Sequence, residues 1–197
     1  MSALGANANP DASNYQKAKH LSEQSLKNTD LDWTIIRPSS LFGDPRGEGR
    51  PEFCKALKED MLELIPGFPR LLPFPAPSFF KGLIPFNSGQ FDFSMIHVRD
   101  VAQIIVKLFL DDKMIHKTVE LGGVKDYSWN EIIKKIAKAS NKKVIMLPAP
   151  ISVVLTAAFF LDWWGRFPVT RDQLKDLIKG STCNSKDIFK KYEIDPI

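Results

Sequence analysis

The stretch SNYQKAKHLSEQSLKNTDLDWTIIRPSSLFGD, residues 13–44, moves from one periodicity to another within a single turn of chain. Ser13 can cap a helix that runs to about Leu26, after which the polar turn TD leads into an apolar strand carrying Trp33, Ile35 and Ile36 and closed by Pro38. A helix handing over to a strand that ends in a proline is the unit from which α/β sheets are built. Within that helix Tyr15 and Lys19 stand four apart and so share a face.

Working outward, the same alternation recurs. PEFCKALKEDMLELI places Pro51 at a first helical position and apolar residues at 53, 56, 57, 61 and 64, one buried stripe. FDFSMIH, residues 91–97, alternates as a strand, and Asp100 is read as the cap of the helix VAQIIVKLFLDD. KTVELGG is a short strand ending in a glycine turn. Ser128 with Glu131 forms a capping box, Thr170 with Gln173 repeats it, and Gly180 supplies the stop of the second helix. Between them, Pro66 to Gly89 carries six prolines and five phenylalanines, too Pro-rich for a helix and too apolar for a solvated linker. It is read as an ordered apolar loop that covers something. Strand and helix alternate without an internal repeat, which predicts an α/β fold around a largely parallel sheet.

Composition removes several classes of function. With 197 residues, 44% hydrophobic and 25% charged, the chain can bury a core and is neither disordered nor collagen-like. The net charge of +4 comes from lysines scattered along helix faces, without a dense basic tract, so nucleic acid is not an expected partner. Cys54 and Cys183 lie far apart with no metal-ligand spacing, which implies neither a disulfide framework nor a metal site. The N-terminus lacks the pattern of an export signal, and a cytoplasmic location is expected. APISVVLTAAFFLDWWG is too short to cross a bilayer and reads as a core helix or, alternatively, as a membrane-surface helix.

The chemistry that Tyr15 and Lys19 could perform follows from their spacing. An ammonium one turn away favours phenolate over phenol, bringing a tyrosine toward the range of a general acid/base. A hydroxyl such as that of Ser2 could hold a substrate oxygen while the tyrosine passes a proton. That is what a nicotinamide-dependent alcohol/ketone reaction requires of its protein, since the cofactor carries the hydride. Against this, no G-x-G-x-x-G or P-loop turn occurs in the 197 residues, and the glycines of GDPRGEG sit among Pro, Arg and Glu in what reads as a surface loop.

Several ordered segments resemble the extended or atypical short-chain dehydrogenase/reductases of the NAD-dependent epimerase/dehydratase family. SALGA, then SNYQKAKHLSEQSL, then LDWTIIRPSSLFGD are similar to that family's serine, its Y-x-x-x-K helix and its R-P-x-x-x-[FY]-G turn. FSMIHVRDVAQIIVKLF resembles its H/P-V-x-D-V-A strand and helix, and VELGGVKDYSWNEII its E-L-G-G segment. The closing FPVTRDQLKDLI and FKKYEIDPI look most like the NDUFA9-like branch, accessory subunits of respiratory complex I that bind NADPH.

The resemblance implies the C-terminal two-thirds of a Rossmann-like NAD(P)-binding fold with a small α-rich substrate domain, the first βαβ units being missing. Residues 1–48 and 90–125 would be the Rossmann-like remnant; residues 49–89 and 126–197 would form the substrate-side and C-terminal region. It implies Tyr15 as proton donor and acceptor, Lys19 on the nicotinamide ribose, Ser2 on the substrate oxygen, and Pro38, Ser39 and Ser40 beside the nicotinamide of an NAD or NADP cofactor. Arg37 is read as an ion-pair member and His97 as a core histidine. The expected activity is hydride transfer at an alcohol or ketone carbon of a small-molecule substrate that is hydrophobic or bulky rather than a bare sugar, with Phe79 and Phe80 on the substrate side, and inactivity of so short a chain is one expected outcome. The alternative is a non-catalytic NADPH-binding accessory or assembly subunit at the matrix or cytoplasmic face of a respiratory membrane.

Overall fold

The computed structural model describes residues 1–44, 52–59, 72–82, 84–85, 87–154, 156 and 171–197, without the side chains of residues 171–173. The chain divides into two compact units, Met1–Arg50 with Phe93–Asp126 and Ser181–Ile197, and Pro51–Asp92 with Tyr127–Gly180. Residues 181–197, expected with the second region, thus fall in the first. Phe189 and Ile194 explain this, because both are buried in its core.

In the first unit the strand Thr34–Pro38 pairs in parallel with Lys117–Leu121, with Ile36 opposite Val119 and Pro38 opposite Leu121. On its other side the backbone N–H groups of Ser2 and Leu4 donate to the carbonyls of Ile36 and Pro38 at 2.7 and 2.9 Å, the every-second-residue spacing of a parallel ladder. The helix Val98–Phe109 turns Val101, Ile104 and Leu108 onto Ile36, Val119 and Leu121. Each such aliphatic side chain contributes roughly 1.5–3 kcal/mol of transfer free energy. A second short parallel pair joins Leu41–Phe42 to Ile96–His97.

The segment FDFSMIH does not form one strand. Strands cover Asp92–Phe93 and Ile96–His97, and Ser94 between them binds elsewhere, its N–H donating to the Ser181 carbonyl and its carbonyl accepting from Gly123. The cap of the following helix also differs from the reading. His97 is the N-cap, its Nδ1 accepting from the N–H of Arg99 at 3.2 Å, while Asp100 lies inside the first turn, buried, and accepts from the N–H of Ile197 at 3.1 Å.

In the second unit the largest departure falls between Pro66 and Gly89. Residues 72–82 are described, and Phe74–Phe80 is a strand, paired in parallel with Val144–Pro150. The N–H of Phe74 donates to the Lys143 carbonyl at 2.8 Å, so by alternation Pro75 and Pro77 fall where the strand turns its N–H groups away from its partner. A proline there gives up no ladder bond. Opposite this strand, the helix Trp129–Ala139 opens with the Ser128/Glu131 capping box that the sequence predicts and buries Trp129, Ile132, Ile133 and Ile136. Trp129 donates its Nε1–H to the Pro77 carbonyl at 2.9 Å and lies 5.7 and 5.9 Å from the rings of Phe79 and Phe91. Phe79 and Phe80 are therefore core residues, 6% and 8% exposed.

Gly180, at φ +72°, ends the helix Arg171–Lys179 as read, and Glu52, whose carboxylate accepts from the N–H groups of Cys54 and Lys55, caps Phe53–Leu57. The Thr170 capping box, the continuation of the 51–65 helix beyond Glu59, and FFLDWW lie outside the described residues. Among those described, no helix is long and apolar enough to cross a membrane.

Candidate functional site

The site expected from the sequence begins on the helix Asn14–Lys27, where Ser13 Oγ accepts from the Gln16 N–H at 3.2 Å. Its packing face is polar. Gln16 and Glu23 are buried and His20 half-buried, whereas Tyr15 and Leu21 are 55% and 65% exposed. Tyr15 and Lys19 do come together, with the Lys19 Nζ over the phenol ring, 5.5 Å from its centroid. The tyrosine is more than half exposed and the charge is beside its ring.

One ion pair fixes this helix to the sheet. Arg37 grips Glu23 with a two-pronged contact, Nε to Oε1 at 2.8 Å and a terminal nitrogen to Oε2 at 2.6 Å, and its other nitrogen lies 3.5 Å from Glu120 on the neighbouring strand. Arg37 holds the Glu23 carboxyl below the usual carboxylate range against the opposing effect of burial, and the Ser2 hydroxyl adds to the lowering. The Arg37 guanidinium is pushed up in turn, chiefly by its hydrogen bond to Glu23. Neither Glu23 nor Glu120 stood out in the sequence, although Glu23 lies one turn beyond Lys19.

A sign follows from the depressed Glu23 value. A carboxylate stabilised in the folded state contributes stability that is complete above its unfolded pKa, about 4.3, and is lost as pH falls through that value toward the folded one. Thermal unfolding is expected to lose midpoint steeply below about pH 5 in the native chain. In Glu23→Gln that acid limb should be shallower, and equal slopes in the two proteins would show that Glu23 contributes nothing to it.

The remaining expected site residues have other engagements. Ser2 is buried, its hydroxyl near Glu23 but without a hydrogen-bond partner among the described residues, two helical turns from Tyr15, or about 12 Å along the axis. The backbone that comes level with the start of the helix is Gly5, where an added Cβ would lie 3.2 Å from Gln16 Nε2. Pro38 ends its strand, and the Ser39 hydroxyl donates to the Ser181 carbonyl at 2.7 Å while its N–H donates to Leu121. The carbonyl of Ser40 accepts from Ile96. Beyond, Gly43 at φ +119° passes so close to His97 that an added Cβ would lie 2.6 Å from the ring.

Around the Gly122–Gly123 turn, Ser94 donates to Asp126 and accepts from the N–H of Cys183, and Ser185 accepts from the N–H of Gly122. These hydroxyls bind backbone and the Asp126 carboxylate and serve structure. An added Cβ on Gly123 would run into the Met95 carbonyl, backbone that cannot move aside. Gly123→Ala is expected to cost about 1–3 kcal/mol in urea unfolding, and a loss below about 0.5 kcal/mol would mean that the turn can shift. Both thiols are held protonated. Burial, then the Glu52 carboxylate, pushes Cys54 up to about 12, and burial raises Cys183. Among the described residues no cluster of three His, Cys, Asp or Glu could hold a metal ion.

The residues present fit one end of a nicotinamide cofactor. An exposed phenol and a cation share one helix face, and on its inner side Gln16 Oε1 and His20 Nδ1 are buried with no partner among the described residues. For the phosphates, the 197 residues contain no glycine-rich strand-to-helix turn.

Comparison with known proteins agrees. Residues 1–59 match a family model described as NAD(P)H-binding. The chain is 25% identical over 157 residues to a ceramide reductase of Caulobacter vibrioides, covering 79% of this chain and 42% of that protein. It is 27% identical over 157 residues to the mitochondrial NADH-ubiquinone oxidoreductase 40 kDa subunit of Neurospora crassa, covering 72% and 41%. Among solved structures, the UDP-glucose 4-epimerase of Thermus thermophilus in complex with NAD superposes with a TM-score of 0.57 at 16% identity, over 99% of this chain and 56% of the enzyme. The chain thus spans about two-fifths of the curated relatives it matches. Its fold is the Rossmann-like α/β fold of NAD-binding epimerases.

Proposed function

We propose that this chain forms the nicotinamide-side part of an NAD(P)-dependent oxidoreductase/epimerase-like protein acting at an alcohol or ketone carbon. The observation that carries the reading is the Lys19 ammonium over the exposed Tyr15 ring on a helix anchored by Arg37. When bound, a nicotinamide supplies or accepts the hydride. Tyr15 gives a proton to the substrate oxygen in reduction and takes it back in oxidation. Lys19 keeps the phenol ready to ionise and offers three donors to ribose hydroxyls. Pro38, Ser39 and Ser40 form the strand end beside the nicotinamide. The similarity to a ceramide reductase favours an apolar, long-chain substrate. With no phosphate turn in this chain, we read its own cofactor affinity as weak and its turnover as slow. The test is Tyr15→Phe, which removes the proton and leaves the ring.

A second reading, an NADPH-binding accessory subunit without turnover, is favoured by the similarity to the 40 kDa subunit. It draws further support from the outward face of the helix Val98–Phe109, where Val106 is 60% and Phe109 87% exposed, an apolar surface suited to association with a membrane complex. Under it, Tyr15→Phe changes no rate.

A further inference from the structure

We propose that Arg37 is a positioning residue that withholds Glu23 from Lys19 and so keeps the lysine's charge directed at Tyr15. This rests on the reading of Tyr15 and Lys19 as a proton-handling pair.

Tyr15, Lys19 and Glu23 follow one another at intervals of four, so each stacks on the next along one side of the helix. A lysine and a glutamate at that spacing ordinarily pair with each other. Here the Glu23 carboxylate turns to the sheet instead, with both oxygens taken by Arg37 at 2.8 and 2.6 Å, while the Lys19 Nζ lies over the Tyr15 ring. A guanidinium can hold both carboxylate oxygens in one planar contact, which a lysine cannot. The arginine thereby outcompetes Lys19 for Glu23. Were Glu23 released, its charge would stand one turn from Lys19 and cancel part of the field that favours the phenolate.

The charged and titratable groups bordering the pair allow this reading. On the same helix are Lys17, His20 and Lys27. Lys17 donates to the Pro10 carbonyl at 3.1 Å, and the Lys27 Nζ lies over the Trp33 ring at 5.8 Å while its charge also acts on Glu23, four residues before it. Asp11 lies four residues before Tyr15 in the turn that precedes the helix. From the strands come Arg37 itself and Glu120, the latter 3.5 Å from the same guanidinium. Among these, Glu23 is the carboxylate one turn from Lys19.

The experiment follows the Tyr15 phenol directly, in the full chain without cofactor or substrate. With tyrosine labelled at Cζ, three resonances titrate by carbon NMR, and Tyr15→Phe identifies the one of interest. In Arg37→Met the Tyr15 midpoint is expected to rise by about half a pH unit. In the double variant Glu23→Gln/Arg37→Met, which removes both charges, it should return to within about 0.2 of the native value. Glu23→Gln alone, which leaves Arg37 with Glu120, should leave the midpoint unchanged, because the charge it removes is already taken. An unmoved midpoint in Arg37→Met, a rise that persists in the double variant, or a fall in Glu23→Gln each overturns the inference. Should Arg37→Met fail to fold, the Glu23→Gln result decides alone. Failure of the nicotinamide reading would show in rates and in cofactor contacts while leaving these midpoints as expected, so the two failures are separable.

Discussion

Replacing Tyr15 with phenylalanine is expected to slow hydride transfer by about 10²- to 10⁴-fold, the range that a positioned acid/base contributes. The exchange keeps the ring under the Lys19 ammonium and removes only the hydroxyl. The helix should therefore hold its place, since its anchors are Ser13 at the cap and Glu23 on Arg37, neither of which the exchange touches. The assay is single-turnover oxidation of NADPH at millimolar concentration with a long-chain methyl ketone as probe, followed by the loss of reduced-nicotinamide absorbance. A measurable rate in the native chain and a fall of at least a hundredfold in the variant support the enzyme reading. Equal rates, or none in either protein, favour the accessory-subunit reading.

The second large effect concerns stability. Trp129→Ala is expected to destabilise the unit of residues 51–92 and 127–180 by about 3–5 kcal/mol, a large part of the total that a domain has. The indole is 1% exposed, and its loss would leave a gap beside the stacked rings of Phe79 and Phe91. It would also leave the Pro77 carbonyl without its 2.9 Å donor. Trp129→Phe, which keeps most of the volume and loses only the donor, should cost clearly less. Urea unfolding followed by circular dichroism measures both. A cost below about 1 kcal/mol for alanine would show that the aromatic cluster can collapse into the gap, contrary to its close packing.

What could be read from the sequence was local. Ser13, the Ser128/Glu131 box and Gly180 mark helix ends through bonds made within a few residues, and each ends its helix as read. The pairing of Tyr15 with Lys19 is equally local, fixed by helical spacing alone. What escaped depends on partners far along the chain. Pro75 and Pro77 read as loop because a proline's tolerance in a strand depends on which edge its missing N–H faces, and that is set by Val144–Pro150, some seventy residues away. Asp100 looked like a cap, yet His97 accepts the Arg99 N–H, and Asp100 instead receives Ile197 from the other end of the chain. Arg37 and Glu23 are fourteen residues apart, and only the crossing from helix to strand brings them into contact.

The central claim, that Tyr15 and Lys19 meet the nicotinamide end of a cofactor, is tested most directly by saturation-transfer NMR between the full chain and NADPH, a method suited to weak binding. The account predicts that saturation passes from the protein to the nicotinamide ring and its ribose protons, leaves the adenine protons little affected, and falls in Lys19→Met. Saturation confined to the adenine, or equal in the native chain and Lys19→Met, would contradict it.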